Sequence, residues 1–137
     1  KIYKIKKKVI CFDKKIKNDK KILKILTQKK IKLICLAGFM KILSKNFIKK
    51  FQGEIINIHP SLLPKYKGLN THIRAIKNKE KFAGCTVHYV TSKLDSGKII
   101  LQKRVKISKR DNHFSLAKKV LKMEHLIYPA AIKKILN

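Results

Sequence analysis

The order of apolar runs and amphipathic segments predicts an α/β domain: an open, mostly parallel sheet with helices packed on its faces. Three observations carry this prediction. Two near-continuous apolar runs, residues 31–37 (IKLICLA) and 54–58 (EIINI), each follow a segment of helical periodicity, residues 19–30 and 44–51. A helix between two strands supplies the crossover that parallel pairing requires. No repeat, linker or composition break divides the 137 residues, so a single domain over 1–137 is expected, large enough to bury on the order of two thirds of its unfolded surface.

Asn18 or Asp19 can cap a first helix running to about Lys30, with Ile22, Leu23, Ile25 and Leu26 on one face and lysines on the other. Residues 31–37 read as a strand buried on both faces, closed by Gly38. Ser44 opens a short helix through Phe51, Gly53 ends it, and Glu54 to Ile58 forms the next strand. Thr71 is placed as the cap of a helix to about Asn78, and Gly84 leads into a strand over residues 85–90. A turn at Asp95, Ser96 and Gly97 precedes a long strand from Lys98 to about Ile107. A final helix from about His113 to Leu136 should be interrupted or kinked near Pro129.

Within this frame the segment NIHPSLLP, Asn57 to Pro64, concentrates polar chemistry. In an extended strand Asn57 and His59 share one side while Ile56 and Ile58 point into the interior. Pro60 removes a backbone donor, so the strand should stop at His59 and leave both polar groups at its carboxyl end, the edge where open α/β sheets bind ligands. The plainer reading is a turn cap and a satisfied, half-buried histidine. Asp95 has the same ambiguity, since Asp-Ser-Gly is a good turn. Taken together, an amide, an imidazole and a carboxylate suffice for acyl transfer to an amine: two groups stabilise the oxyanion and the third orients the imidazole or handles protons.

Composition narrows the classes. Lys and Arg number 36 against 7 Asp and Glu, a formal net charge of +29. Such a balance attracts polyanions. Against a nucleic-acid role, the only arginines are Arg74, Arg104 and Arg110, and the lysines are spread along the chain instead of forming one stripe with interleaved aromatics. Lys, Ile and Asn are the residues an AT-rich genome encodes most readily, so the charge reads first as compositional drift. Cys11, Cys35 and Cys85 are odd in number and far apart, which suggests reduced structural thiols rather than a disulfide framework or a zinc site. Without an apolar run of membrane-spanning length or a cleavable leader pattern, the chain reads as soluble and cytoplasmic.

Four blocks, LAGFMKIL (Leu36 to Leu43), NIHPSLLPKYKGLNTH (Asn57 to His72), AGCTVHYVTSKLDSG (Ala83 to Gly97) and MEHLIYP (Met123 to Pro129), resemble in order and spacing the phosphoribosylglycinamide formyltransferases, a folate-dependent family of purine synthesis. The resemblance implies a Rossmann-like formyltransferase fold and transfer of a formyl group from 10-formyltetrahydrofolate to the amine of glycinamide ribonucleotide, with no metal. It assigns Asn57, His59 and Asp95 as the catalytic triplet: Asn57 and a protonated His59 would stabilise the oxyanion, and Asp95 would keep His59 charged and organise proton transfer. Phe39, Met40, Lys41, Ile42 and Leu43 match the wall of the folate pocket, with Lys41 where the family often has arginine. Val90, Thr91, Ser92 and Leu94 match the loop over the pterin. Glu124 matches a contact to the ribonucleotide, and Pro60 and His88 are placed beside it; His88 reads equally as a site residue or as a satisfied core histidine.

The family begins with a strand, a Gly-Ser-Asn turn and a helix whose amino end holds the substrate phosphate. No counterpart occurs, so the chain is expected to be the C-terminal two thirds of the family domain, lacking the N-terminal phosphate-loop βα units, with a reading frame that extends upstream. Rival readings are a methionyl-tRNA formyltransferase, which usually carries an RGAAP-like stretch where KGLNTH stands here, and a formyltetrahydrofolate deformylase, in which a second His typically stands at the position of Pro60. Outside enzymes, the rival is a basic nucleic-acid-binding fragment.

Overall fold

A computed structural model describes residues 6, 9, 10 and 19–137. The proposed cap Asn18 and the thiol Cys11 lie outside the described residues. Helix α1 spans Asp19–Gln28, strand β1 Leu33–Leu36, helix α2 Lys45–Lys50 and strand β2 Glu54–His59. Helix α3 spans Thr71–Lys77, strands β3 and β4 span Phe82–Tyr89 and Ile99–Lys106, and helix α4 spans His113–Leu136. The described strands form one four-stranded sheet in the order β1-β2-β3-β4.

The open α/β sheet with flanking helices holds, but its mostly parallel character does not. β1 pairs with β2 in parallel, whereas β2 with β3 and β3 with β4 are antiparallel. The β3–β4 reversal lies in its connection, since residues 90–98 contain no helix and close a hairpin; α2 makes the crossover between parallel β1 and β2, whereas the β2–β3 connection contains α3 and still returns antiparallel. β1 departs from expectation too. It is half-buried, with Cys35 exposed, because among the described strands it lies at the sheet edge and has β2 as its neighbour.

Two apolar clusters sandwich the sheet. On one face Leu116, Val120, Ile127 and Ala131 of α4, with Ala75 of α3, meet Ile56, Ala83, Cys85 and Val87. On the other, Phe47 and Phe51 pack with Ile55, and Ile22, Leu23 and Leu26 of α1 lie against them. α1 contributes its apolar stripe without fully burying any residue.

Local rules account for most boundaries. Ser44 caps α2 by accepting from the Phe47 N–H at 2.9 Å, and its own hydroxyl donates to Asp19, tying α2 to the start of α1. Thr71 is not the α3 cap but its first residue: Asn70 occupies the cap position in a left-handed conformation with no side-chain cap bond. β3 begins three residues before the expected start and runs through Gly84, where a Cβ would stand 2.1 Å from the Lys103 carbonyl oxygen, so glycine permits the close approach of β4. α4 opens with a capping box between Asn112 and Ser115 and continues through Pro129, so of the expected interruption or kink the interruption does not occur. Packing of Ile127 and Ala131 on either side of that proline holds the helix together despite the missing backbone donor.

Candidate active site

β2 ends at His59, as its proline predicts, and its register with β3 builds a polar group on one face of the sheet. Asn57 pairs with His88 and His59 with Thr86. Side chains at paired positions share a face, so alternation brings these four residues together. His59, Thr86 and His88 are buried, Thr86 completely.

The buried polar side chains of this group are hydrogen-bonded, and their partners fix the surrounding loops. The Thr86 hydroxyl donates to the Ser61 carbonyl at 2.6 Å and accepts from the Leu63 N–H at 3.1 Å. The Gln102 amide donates to the Leu63 carbonyl at 2.7 Å and to the Thr86 hydroxyl at 2.9 Å. This clamp sets the loop after His59. The His59 Nε2–H donates to the Tyr66 carbonyl at 2.9 Å, since a carbonyl can only accept.

Asp95 arrives from the β3–β4 loop. Its carboxylate lies 3.5 Å from His59 Nδ1 and accepts from the Gly68 N–H at 2.8 Å. It adopts a left-handed conformation, φ 43°. The turn reading of this residue holds, and the turn aims the carboxylate at the imidazole. Lys67 Nζ donates to the Ser96 hydroxyl at 2.6 Å, a second latch between the same two loops.

Asn57, His59 and Asp95 all line one cleft of about 1020 Å³ at the carboxyl end of β1 and β2. Phe39, Met40, Lys41 and Ile42 form part of its wall, as does Leu94, while Pro60 and Glu124 also face it. Five of the anticipated residues do not line it. Leu43 and Val90 pack into the cluster around Phe47, with the Val90 N–H donating to the Ile55 carbonyl. Thr91 and Ser92 are exposed on the outer part of their loop, Thr91 bonding within it to Lys93. His88 is buried behind the cleft wall rather than lining it.

Other lining residues went unassigned from sequence. The face of α4 that carries Glu124 also supplies Phe114, Ala117, Leu121, His125 and Tyr128, at the three- and four-residue spacing of a helix face. That periodicity was the available signal. Tyr128 also donates to the Leu36 carbonyl at 2.7 Å, holding α4 at the end of β1. His72 lines the cleft with its Nδ1 buried and without a hydrogen-bond partner among the described residues. Desolvation, then the neighbouring His113 and His59, lower its pKa, so the ring is neutral at pH 7. Burial pushes the Glu124 carboxyl up, opposed by His125 and His59.

Lining of this kind suits a ligand with an apolar body and a few polar groups. Exposed Met40, Ile42, Leu69 and Leu94 surround the polar triplet. Among the described residues no group of three or more His, Cys, Asp or Glu is placed to hold a metal ion, and no helix is long and apolar enough to cross a membrane.

The profile of the formyl transferase family matches residues 2–132. The chain is 41% identical over 124 residues to the human trifunctional purine biosynthetic protein adenosine-3, covering 90% of this chain and 12% of that protein. It is 40% identical over 122 residues to the phosphoribosylglycinamide formyltransferase of Escherichia coli (strain K12), covering 89% of this chain and 58% of that enzyme. The crystal structure of phosphoribosylglycinamide formyltransferase from Brucella melitensis superposes with a TM-score of 0.80 at 48% identity, covering 85% of this chain and 60% of the other. The chain thus spans less than two thirds of the length of each.

Proposed function

We propose a reaction from the premise that this chain belongs to the formyl transferase family: transfer of a formyl group from 10-formyltetrahydrofolate to the amine of glycinamide ribonucleotide, a step of purine synthesis. One observation carries the reading. Asn57 and His59 at the end of β2 and Asp95 from the β3–β4 loop converge on one cleft, with the carboxylate 3.5 Å from the imidazole.

The neutral amine attacks the formyl carbon, and the carbonyl oxygen gains negative charge as the new C–N bond forms. Asn57 Nδ2–H and His59 are the donors for that oxyanion. His59 exchanges its Tyr66 carbonyl for the oxyanion through Nε2–H, an exchange favoured because a charged acceptor forms hydrogen bonds roughly twice as strong as a neutral one. Asp95 stabilises the imidazolium through Nδ1 and receives or relays the proton lost by the attacking amine, which passes to the donor nitrogen as the old C–N bond breaks. The apolar wall of Met40, Ile42 and Leu94 takes the flat ring system of the formyl donor, and Glu124 and Pro60 take the ribonucleotide side. Lys41, in place of a forked guanidinium, can offer a point charge but no bidentate contact.

Formyl transfer assayed with these two substrates tests the proposal in the full-length protein. Asn57→Ala, His59→Ala and Asp95→Ala should each lower kcat by about a hundredfold or more. Turnover near wild type in all three would refute the assignment.

A further inference from the structure

His88 does not line the cleft, yet every polar atom of its ring is directed at something that matters there. It is only 3% exposed and stands at the irregularity in β3–β4 pairing between Val87 and His88, the kind of bulge that re-aims a side chain. Its Nδ1 lies 2.8 Å from the Tyr89 carbonyl oxygen. A carbonyl only accepts, so Nδ1 carries the proton. Desolvation lowers the pKa of the ring, outweighing the upward pull of the Tyr89 hydrogen bond and of Asp95, and His59 lowers it further. A neutral ring protonated on Nδ1 has a lone pair on Nε2.

That lone pair faces Asn57 Nδ2 at 3.5 Å and the Asp95 carboxylate at 3.8 Å. The carboxylate cannot donate to it; the amide NH₂ can. The opposite amide orientation would set Asn57 Oδ1 against the lone pair and leave a carbonyl oxygen, useless to an oxyanion, in place of the donors. The Tyr89 carbonyl is itself closely confined, since a Cβ on Gly97 would stand 1.7 Å from it. The chain of dependence therefore runs from a fixed carbonyl, through a fixed tautomer, to a fixed amide.

We propose that His88 is a positioning residue: its Nδ1-protonated ring sets the orientation of the Asn57 amide so that N–H donors, and not the carbonyl oxygen, face the reacting centre. This rests on the reading of Asn57 as an oxyanion donor. Removing the Nε2 acceptor frees the amide to rotate, and only the step in which charge develops on oxygen is affected.

The test compares wild type with His88→Leu and His88→Gln in the full-length protein, measuring kcat, both KM values and the unfolding midpoint, together with ¹⁵N NMR of the wild-type His88 ring. His88→Leu should lose about a hundredfold in kcat, as for loss of an oxyanion donor, with both KM values within about threefold. His88→Gln, whose Oε1 can accept where Nε2 did, should recover at least about tenfold of that loss. The spectrum should show a protonated Nδ1 and an unprotonated Nε2 coupled to the Asn57 amide. A leucine variant within about threefold of wild-type kcat, a glutamine variant no better than leucine at equal stability, or a proton on Nε2 would each overturn the proposal. Wild-type protein lacking formyl transfer would refute the reaction instead, and the ring tautomer would still decide the amide orientation.

Discussion

The two faces of β2 and β3 are both largely buried and chemically opposite. On one face Ile56, Cys85 and Val87, each fully buried, lie under α4. On the other, Asn57, His59, Thr86 and His88 meet across the same register, three of them under 10% exposed. Burial therefore does not separate core from site here. The apolar face is held by removal of surface from water, which tolerates small shifts, whereas the polar face is held by directional bonds whose loss strands a desolvated donor or acceptor. The same few residues of strand, read at a period of two, deliver both.

Three perturbations bear on this contrast. Leu116→Ala, under the apolar face, should cost about 2–5 kcal/mol in denaturant unfolding while the folded fraction keeps its kcat. An equal loss of kcat per folded molecule would mean that the two faces are not separable. Thr86→Val, on the polar face, keeps the shape but strips the partner from the Leu63 N–H and the Ser61 carbonyl and one of two acceptors from the Gln102 amide. The expected cost is about 1–3 kcal/mol, smaller than for Leu116, but accompanied by reduced formyl transfer as the His59 loop loosens. Preserved activity in the valine variant would show that loop to be set by other contacts.

The smallest effect lies at the start of α4, which clamps the apolar face. Lys119, the Ser108 N–H and the Ser115 hydroxyl hold the Asp111 carboxyl well below the usual carboxylate range. A folded-state pKa below the unfolded one adds stability above the ordinary Asp range, and this stability is lost as pH falls through and below that range. Asp111→Ala should thus lower the unfolding midpoint modestly at pH 7 and converge on wild type in acid. A constant difference from pH 7 to pH 3 would contradict this.

Much of the local structure was legible because it depends on neighbours in sequence. Ser44 reads as a cap and is one, Pro60 reads as a strand stop and β2 ends at the residue before it, and Asp95 reads as a turn residue and occupies a left-handed turn. The errors arose where distant segments decide. Thr71 resembles a cap, but Asn70 takes that position and Thr71 is buried. Leu43 and Val90 sit within motif blocks, yet the cluster around Phe47 claims their side chains.

By itself the sequence determined the alternation of elements, the placement of an amide and an imidazole at one strand end, and the motif blocks that carry the family resemblance, because periodicity, capping and turn chemistry act over a few residues. Only the tertiary structure decided that β3 and β4 run antiparallel to β2, and that His88 stands behind Asn57 instead of in the cleft. It also decided that one side of α4 completes the cleft wall. Those outcomes depend on strand register and on which buried polar atom reaches which partner, and such long-range pairings are not written in any local stretch of chain.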